Sequence, residues 1–353
     1  GGNGGVSYNA SGGIAYDSLL EPVAFGSSGA GPEGSGMAGR APGGGAVHLG
    51  VGGELVIDGR VTANGSSAWS NDQGGGAGGA VWLQAGRLAG AGQILADGGS
   101  GEWVDGGSGG GGRIALHLGT NDFTGLVAAR GGGGGRQVGG AGTLYTRLAS
   151  EAVGTVEIDN ADRWGALTPL STPEAFRLFI RRAARVYGEE RLLVQSLSVA
   201  KDSLLTHLKG DGGVQLTSLG DVAIEGQVLA DGLGYPVDGD PGPGVGAGGT
   251  WAGGGAGHGG DGGSSASGAS GGSAYGSELE PLTPGSQGGK GSSGYGTDGG
   301  GVIRILAAGT LTVNGSITAN ALGGPVNDAG GGAGGSIFLN ARTLAGTGEI
   351  RAQ

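Results

Sequence analysis

The densest group of polar side chains beside an aromatic ring is Asp159, Asp162, Arg163 and Trp164, in the segment IDNADRWGALTPL. Cleavage of a glycoside needs two carboxylates, or a base with cationic partners, on one face. Here the acids stand in a turn-like stretch and no tight acidic cluster recurs elsewhere, so the group is expected to serve a turn. The histidines, His48, His117, His207 and His258, lack metal-ligand spacing. His48 and His117 take similar places in two strand-like blocks and are expected to stack outward. Gly288-Gly289-Lys290-Gly291-Ser292 approaches a phosphate-binding loop. Residue 284, where its first Gly belongs, is Pro, and Gly291 stands where Ser or Thr should follow the Lys. Catalytic, cofactor-binding and metal-binding residues are therefore assigned to none of these positions. Asn9, Asn64 and Asn314 each open an Asn-X-Ser triplet and are formal N-glycosylation acceptors, and Ser and Thr in the Gly-rich stretches leave O-glycosylation open.

The elements that would position these residues repeat. Residues 11–97 recur, with substitutions and a short gap, at 270–353: Ser11–Pro22 aligns with Ser270–Pro281, GELVIDGRVTANG with GTLTVNGSITANA, and GGGAGGAVWLQAGRLAGAGQILAD with GGGAGGSIFLNARTLAGTGEIRAQ. The offset is 259 residues at the start and 256 after the gap. Such a repeat points to an array in which each unit stacks on its neighbours, and the sequence reads as a window on a longer array of about 256-residue repeats.

Composition agrees. Gly supplies 95 of 353 residues and Pro only 11, without the strict Gly-X-Y period of collagen. A net charge of −11 argues against nucleic acid or an anionic membrane surface as partner. No apolar run approaches the ~20 residues of a membrane helix, and with no Cys there is no disulfide or thiolate metal site.

Inside the long repeat lies a shorter one. Strand-like blocks follow Gly runs at Ala46, Ala80, Arg113 and Thr143, spaced 34, 33 and 30 residues, and again at Val302 and Ser336, spaced 34. The spacing predicts an all-β fold, a parallel β-solenoid with three short strands per coil. Period-2 alternation selects Leu55, Ile57, Val61, Val81, Leu83, Ile94, Ile114, Leu116, Leu311, Val313, Ile317, Ile337 and Leu339 as one continuous interior. The last strand of each coil ends at Asn64-Gly65, Asp97-Gly98, Asp231-Gly232 or Asn320, residues that tolerate positive φ, so a left-handed corner is expected there, its Asn and Asp forming a ladder. Calcium at this corner is the sharper alternative, although only fragments such as Gly259-Gly260-Asp261-Gly262 resemble the tandem calcium-binding repeat. Between coils run Gly-rich arms, among them 65–79, 98–112, 131–142, 232–272 and 321–335. An arm of this kind is either a mobile loop or an extended left-handed helix of polyglycine II type; dense backbone hydrogen bonding between arms is needed for the second, expected arrangement. Gly76 and Gly332 are then close-packed, whereas Ser108 reads as a loop position.

The chain is divided into Gly-rich coils over 1–149, a Gly-poor segment over 150–219 and Gly-rich coils over 220–353. Within the middle segment Thr172-Pro173-Glu174 could open a helix, but Phe176, Leu178 and Ile180 alternate as a strand does and Leu193, Gln195, Leu197 and Val199 continue the period, so strands closed by tighter turns are expected.

GGGGRIALHL, NDFTGLVAARGG, GGAGTLYT, VGTVEIDN and ALTPL, within 109–170, together with SAYGSELEPLTPGSQGGKG and GGGAGGSIFLNARTLAGTGEI, resemble units of very large Gly-rich repeat proteins of the surfaces of environmental bacteria, the myxobacterial proteins linked to gliding among them. The resemblance covers nearly the whole chain except 171–192. It implies an extracellular or cell-surface location and carries over no catalytic residue. The expected function is structural, a stretch of a long extracellular filament, stalk or sheath without catalysis and without cofactors, whose partner is itself. The alternative is an adhesin whose arms, around Trp69, Trp103, Trp251 and Tyr295, bind glycans, cells or ice.

Overall fold

The computed structural model describes residues 1–7, 10–31, 39–235, 240–292, 294, 296–323 and 328–353. Among these residues there is no α-helix, and every long element is a β-strand. In chain order the strands are β1 (Ala46–Val56), β2 (Arg60–Thr62), β3 (Ala80–Gly90), β4 (Gln93–Leu95), β5 (Arg113–Phe123), β6 (Leu126–Ala128), β7 (Thr143–Leu148), β8 (Thr155–Asp159), β9 (Thr168–Leu170), β10 (Arg177–Arg181) and β11 (Arg185–Gly188). They continue as β12 (Leu192–Val194), β13 (Ser196–Val199), β14 (Leu204–Thr206), β15 (Val214–Ser218), β16 (Val222–Ile224), β17 (Gln227–Leu229), β18 (Val302–Val313), β19 (Ser316–Thr318), β20 (Ser336–Ala345) and β21 (Glu349–Arg351). The chain forms two compact units, Gly1–Val186 with Leu197–Leu204, and Tyr187–Ser196 with Leu205–Gln353.

In the first unit β1, β3, β5 and β7 pair in parallel, and β2, β4 and β6 form a second parallel sheet. Where the sequence suggests two short strands followed by a third, the first two are one strand of 11 residues in β1, β3 and β5. The register explains the spacing. Ala46 pairs with Ala80, 34 residues on, but Glu54 pairs with Arg87, 33 on, because Gly52-Gly53 faces the single Gly86 in a bulge. The same irregularity recurs between β18 and β20, from Ala307↔Ala341 to Thr310↔Thr343. Val81, Leu83, Leu88, Ile94, Ile114 and Leu116 are buried with Ile57, while Leu55 and Val61 pack against that cluster half-buried. In the second unit β15, β18 and β20 pair in parallel, as do β17, β19 and β21. Leu311, Val313 and Ile317 are buried there, but Ile337 and Leu339 on β20 are only half-buried.

Pairing is not parallel throughout. β7 and β8 are antiparallel, Tyr145 opposite Val156, so the chain reverses through 149–154. Beyond the reversal β8 and β10 resume parallel pairing. Within 172–188 the regular structure is strand, not helix, β10 and β11: Phe176, just before β10, and Leu178 and Ile180 in it are fully buried, and β10 turns into β11 through Arg182 and Ala183 at φ 43° and 62°.

The Gly-rich arms are knitted together by backbone hydrogen bonds with a period of three. Gly74 and Ala77 donate to Ala30 and Ser27; Gly75 and Gly78 donate to Gly107 and Gly110; Gly76 and Gly79 donate to Ser66 and Ala63, all within 2.7–3.0 Å. One arm therefore bonds three neighbours in rotation. The second unit repeats the scheme: Gly253 and Ala256 donate to Asp328 and Gly331, Gly254 and Gly257 to Ala247 and Gly244, and Gly255 and His258 to Gly263 and Gly260. Close approach is what demands glycine here. A Cβ on Gly76 would overlap the Pro42 carbonyl oxygen, and one on Gly332 that of Asp298. Ala77 is in phase with Gly74, whose added Cβ would meet nothing nearer than 3.3 Å, which is why this arm tolerates a methyl there. Ser108, expected in a loop, instead lies inside the packed arms: it is 1% exposed, accepts a hydrogen bond from Gly101 N–H at 3.0 Å and donates one to Gly134 O at 2.8 Å.

Candidate functional site

The corner ladder is real, and its chemistry differs from the expected left-handed turn. Asn64 Oδ1 accepts the N–H of Asp97 at 2.8 Å, and Asp97 Oδ1 accepts that of Arg130 at 2.7 Å. Buried Asn160 continues the scheme on Gly131 N–H at 2.8 Å. In the second unit Asp231 Oδ1 accepts from Asn320 N–H at 2.7 Å and Asn320 Oδ1 from Gln353 N–H at 2.9 Å. None of Asn64, Asp97, Asp231 and Asn320 has positive φ, and of the glycines that follow them only Gly232, at φ 66°, makes the expected left-handed corner. Among the non-Gly residues with positive φ are Asp72 and Asp328, φ 60° and 70°, which are repeat-equivalent. Asn and Asp stand at these corners because a short side chain there carries an oxygen to the next N–H. Burial pushes the Asp97 carboxyl above its ordinary value, and the hydrogen bond from Arg130 N–H opposes that rise.

The aromatic and imidazole rings of the first unit form a column across β1, β3, β5 and β7. His48 stacks on Trp82 at 3.9 Å, Trp82 meets His117 edge-on at 6.2 Å, and His117 tilts against Tyr145 at 5.5 Å. The column faces away from Val81, Leu83 and Ile114, as alternation requires, but only His48 is exposed. His117 Nε2 is 2.8 Å from Leu20 O, so the segment before β1 covers it. Tyr145 donates to Glu174 Oε1 at 2.8 Å, and burial first, then that carboxylate, pushes its phenol up to about 12.

The other histidines are separate from this column. His207 is buried, with Nδ1 2.8 Å from Leu208 O, and desolvation lowers its pKa. His258 holds Gly334 O at 2.8 Å and Thr283 Oγ1 at 2.9 Å. Among the described residues no three His, Asp, Glu or Cys side chains are grouped to hold a metal ion.

The polar group of the middle segment is spent on its turn. Asp159 takes Ala161 N–H at 2.8 Å and Arg182 Nε at 2.8 Å, Arg163 donates to Gly131 O at 3.0 Å, and the Arg185 guanidinium lies over Trp164 at 4.8 Å. Asp162 is itself at φ 63° in that turn. In the Gly288–Ser292 run, Gly288 N–H donates to Thr297 O and Gly289 N–H to Gly254 O, so these donors are occupied by carbonyls and do not form a phosphate cradle.

Comparison of the chain with protein-family models, with curated proteins and with solved structures finds no match. The internal repeat is therefore the comparison that informs. Tyr16 donates to Phe25 O and receives from Ser27 Oγ at 3.0 Å; Tyr275, 259 residues later, donates to Pro284 O at 2.6 Å and receives from Ser286 Oγ at 2.7 Å. This Tyr–Ser pin escaped sequence reasoning, although SAY against IAY in the aligned copies was its signal. So did Gln73, fully buried, whose amide donates to Gly39 O at 2.9 Å and accepts from Trp69 N–H at 2.7 Å.

Asn64 and Asn314 are exposed, the latter donating Nδ2 to Glu225 Oε1 at 2.8 Å; Asn9 and Tyr295 lie outside the described residues. Trp69, Trp103 and Trp251 are 61%, 86% and 71% exposed on the arms. No helix among the described residues is long and apolar enough to cross a membrane.

Proposed function

We propose that this chain is a stretch of parallel β-solenoid whose arms pack as polyglycine II-type helices, and that it serves as a structural segment of a long extracellular filament, stalk or sheath without catalysis. Each long strand with its following short strand and arm is one coil in this reading. The observation that carries it is the duplication of contacts between the two copies, the Tyr–Ser pin, the corner ladder and the three-neighbour arms alike. Stacking of identical units adds stability neighbour by neighbour and sets no limit on length. The polar side chains found by sequence are absorbed by turns and ladders, which supports a structural over a catalytic role. The sequence resemblance to Gly-rich surface proteins supports the location.

Electron microscopy of the purified chain and of native material tests this: straight, narrow particles that join end to end are expected, and compact isometric particles would sink it. An adhesin is the second reading, favoured by the exposed Trp69, Trp103 and Trp251. Binding to a glycan or cell surface that Trp103→Ala abolishes, without change in melting, would select it.

A further inference from the structure

The short strands β2, β4 and β6 lie side by side in register, and β6 is the last of them. No fourth short strand joins this sheet, because β7 runs into the reversal at 149–154 and pairs antiparallel with β8. β6 therefore has a strand on one side only. On that break in the succession lies a pocket of about 80 Å³, lined by Val127, Arg130, Leu144, Glu157, Asp159 and Arg182 among others. Liquid water takes about 30 Å³ per molecule, so the space suits two or three waters, or one small anion with a short tail.

Arg130 stands at the corner where the two preceding repeats carry an acceptor. Asn64 and Asp97 each bring an oxygen there for the N–H 33 residues ahead. An arginine side chain brings donors only. Its backbone N–H is taken by Asp97 Oδ1 at 2.7 Å, but its Nε is buried without a hydrogen-bond partner. The Asp97 carboxylate acts on the guanidinium without a bond to it.

Both acids of the wall are already engaged. Glu157 Oε1 is 3.2 Å from Arg181 Nη1, and Asp159 takes Arg182 Nε and Ala161 N–H, both at 2.8 Å. Among the charged groups lining the pocket, Arg130 alone lacks a bonded counter-ion. A buried donor left unpaired is unfavourable, and an acceptor in the pocket removes that cost.

We propose that this pocket binds a small carboxylate anion, one oxygen on Arg130 Nε–H and the other on a neighbouring Nη–H. The planar fork of a guanidinium matches the two oxygens of a carboxylate, a fit that a spherical ion cannot use. Exposed Arg182 adds a second positive charge to the wall. The site stands apart from the filament and adhesin readings, either of which can fail without it.

The test titrates carbon-13-labelled acetate into the full chain at pH 7 and fixed ionic strength, reading the acetate line width, with formate and chloride as competitors. Saturable broadening that formate relieves is expected. Arg130→Gln should weaken binding by about tenfold or more, the loss of a charge-assisted hydrogen bond. Arg130→Lys, which keeps the charge and loses the fork, should fall between. The ladder uses the backbone N–H of residue 130, so both substitutions leave it in place. Retained melting of Arg130→Lys keeps the comparison valid where Arg130→Gln is unstable. Broadening that does not saturate means that water alone fills the pocket, and equal binding by a folded variant puts the acetate elsewhere; either result overturns the site. Chloride that competes as well as formate overturns the carboxylate assignment.

Discussion

Asn64 reaches forward 33 residues to accept the backbone N–H of Asp97 at 2.8 Å, and Asp97 does the same for Arg130 at 2.7 Å. Asp97 thus accepts from the corner 33 residues ahead while its own N–H is held by the corner 33 residues behind. Asn does this without a charge, whereas Asp does it with a half-buried one.

Asp97→Asn is expected to stabilise the protein at pH 7. A carboxyl whose folded pKa is raised is favoured when protonated, so its ionised form weakens the fold above that pKa, and the penalty vanishes below the ordinary value of 3.8. The melting temperature of Asp97→Asn should therefore exceed that of wild type at pH 7 and match it near pH 3. Asp97→Ala, which removes the acceptor, should lose about 1 kcal/mol. A variant order of Ala above Asn in urea denaturation would contradict the ladder.

Gly76→Val and Gly332→Val should each destabilise by on the order of 3 kcal/mol or more, because a backbone carbonyl occupies the place of the new Cβ. Gly59→Ala, where nothing lies within 4 Å of the added carbon, should change stability little. Ser108→Val belongs with the damaging group, since it removes a buried hydroxyl that both donates and accepts. Thermal melting of the four variants separates packed arms, with three damaged and one tolerated, from loose ones, with all four alike.

The reversal between β7 and β8 depends on Gly154, where a Cβ would strike the Tyr145 ring. Gly154→Ala should cost about 2 kcal/mol, and Tyr145→Phe about 1 kcal/mol through the lost bond to Glu174. Burial also holds the phenols of Tyr145 and Tyr275 at about 12. A phenol raised in this way contributes stability that is present below pH 10 and fades as pH climbs towards 12. Tyr145→Phe should flatten part of that alkaline loss, read as the urea midpoint at pH 9 and pH 11.5.

His207 works in the opposite range. Burial lowers its pKa, so the folded state keeps the ring neutral while the unfolded chain takes a proton near pH 6.5. Stability is full above that pH and falls as acid is added. His207→Gln should remove this dependence between pH 7.5 and 5, whatever it does to stability at neutral pH. A wild-type urea midpoint that stays level across the same range would refute the claim.

Much of the fold can be read in the sequence because strand alternation is local. Val81, Leu83, Ile114 and Leu116 are period-2 positions, and a buried face needs nothing more to be recognised. The spacings of 34 and then 33 are equally legible, and the extra residue of the bulge at Gly52-Gly53 is their physical meaning. The corner Asn and Asp were identifiable as a ladder, but not by the right cause, since backbone angles at Asn64 and Asp97 are ordinary and their oxygens act on a neighbour 33 residues away.

What only the tertiary structure decided lies in contacts without a local signature. Gly75 bonds to Gly107 and Gly76 to Ser66, and a run of identical glycines carries no side-chain pattern to say which neighbour each one faces. Ser108 looks like any loop serine until the arms close around it. The reversal at 149–154 follows from Tyr145 folding over Gly154 and pairing with Val156, an arrangement that strand period cannot express because it is the same in either direction. Sequence determined which residues would be strands and which faces would be apolar. Backbone hydrogen bonds between distant segments decided how the glycines pack and which way each strand runs.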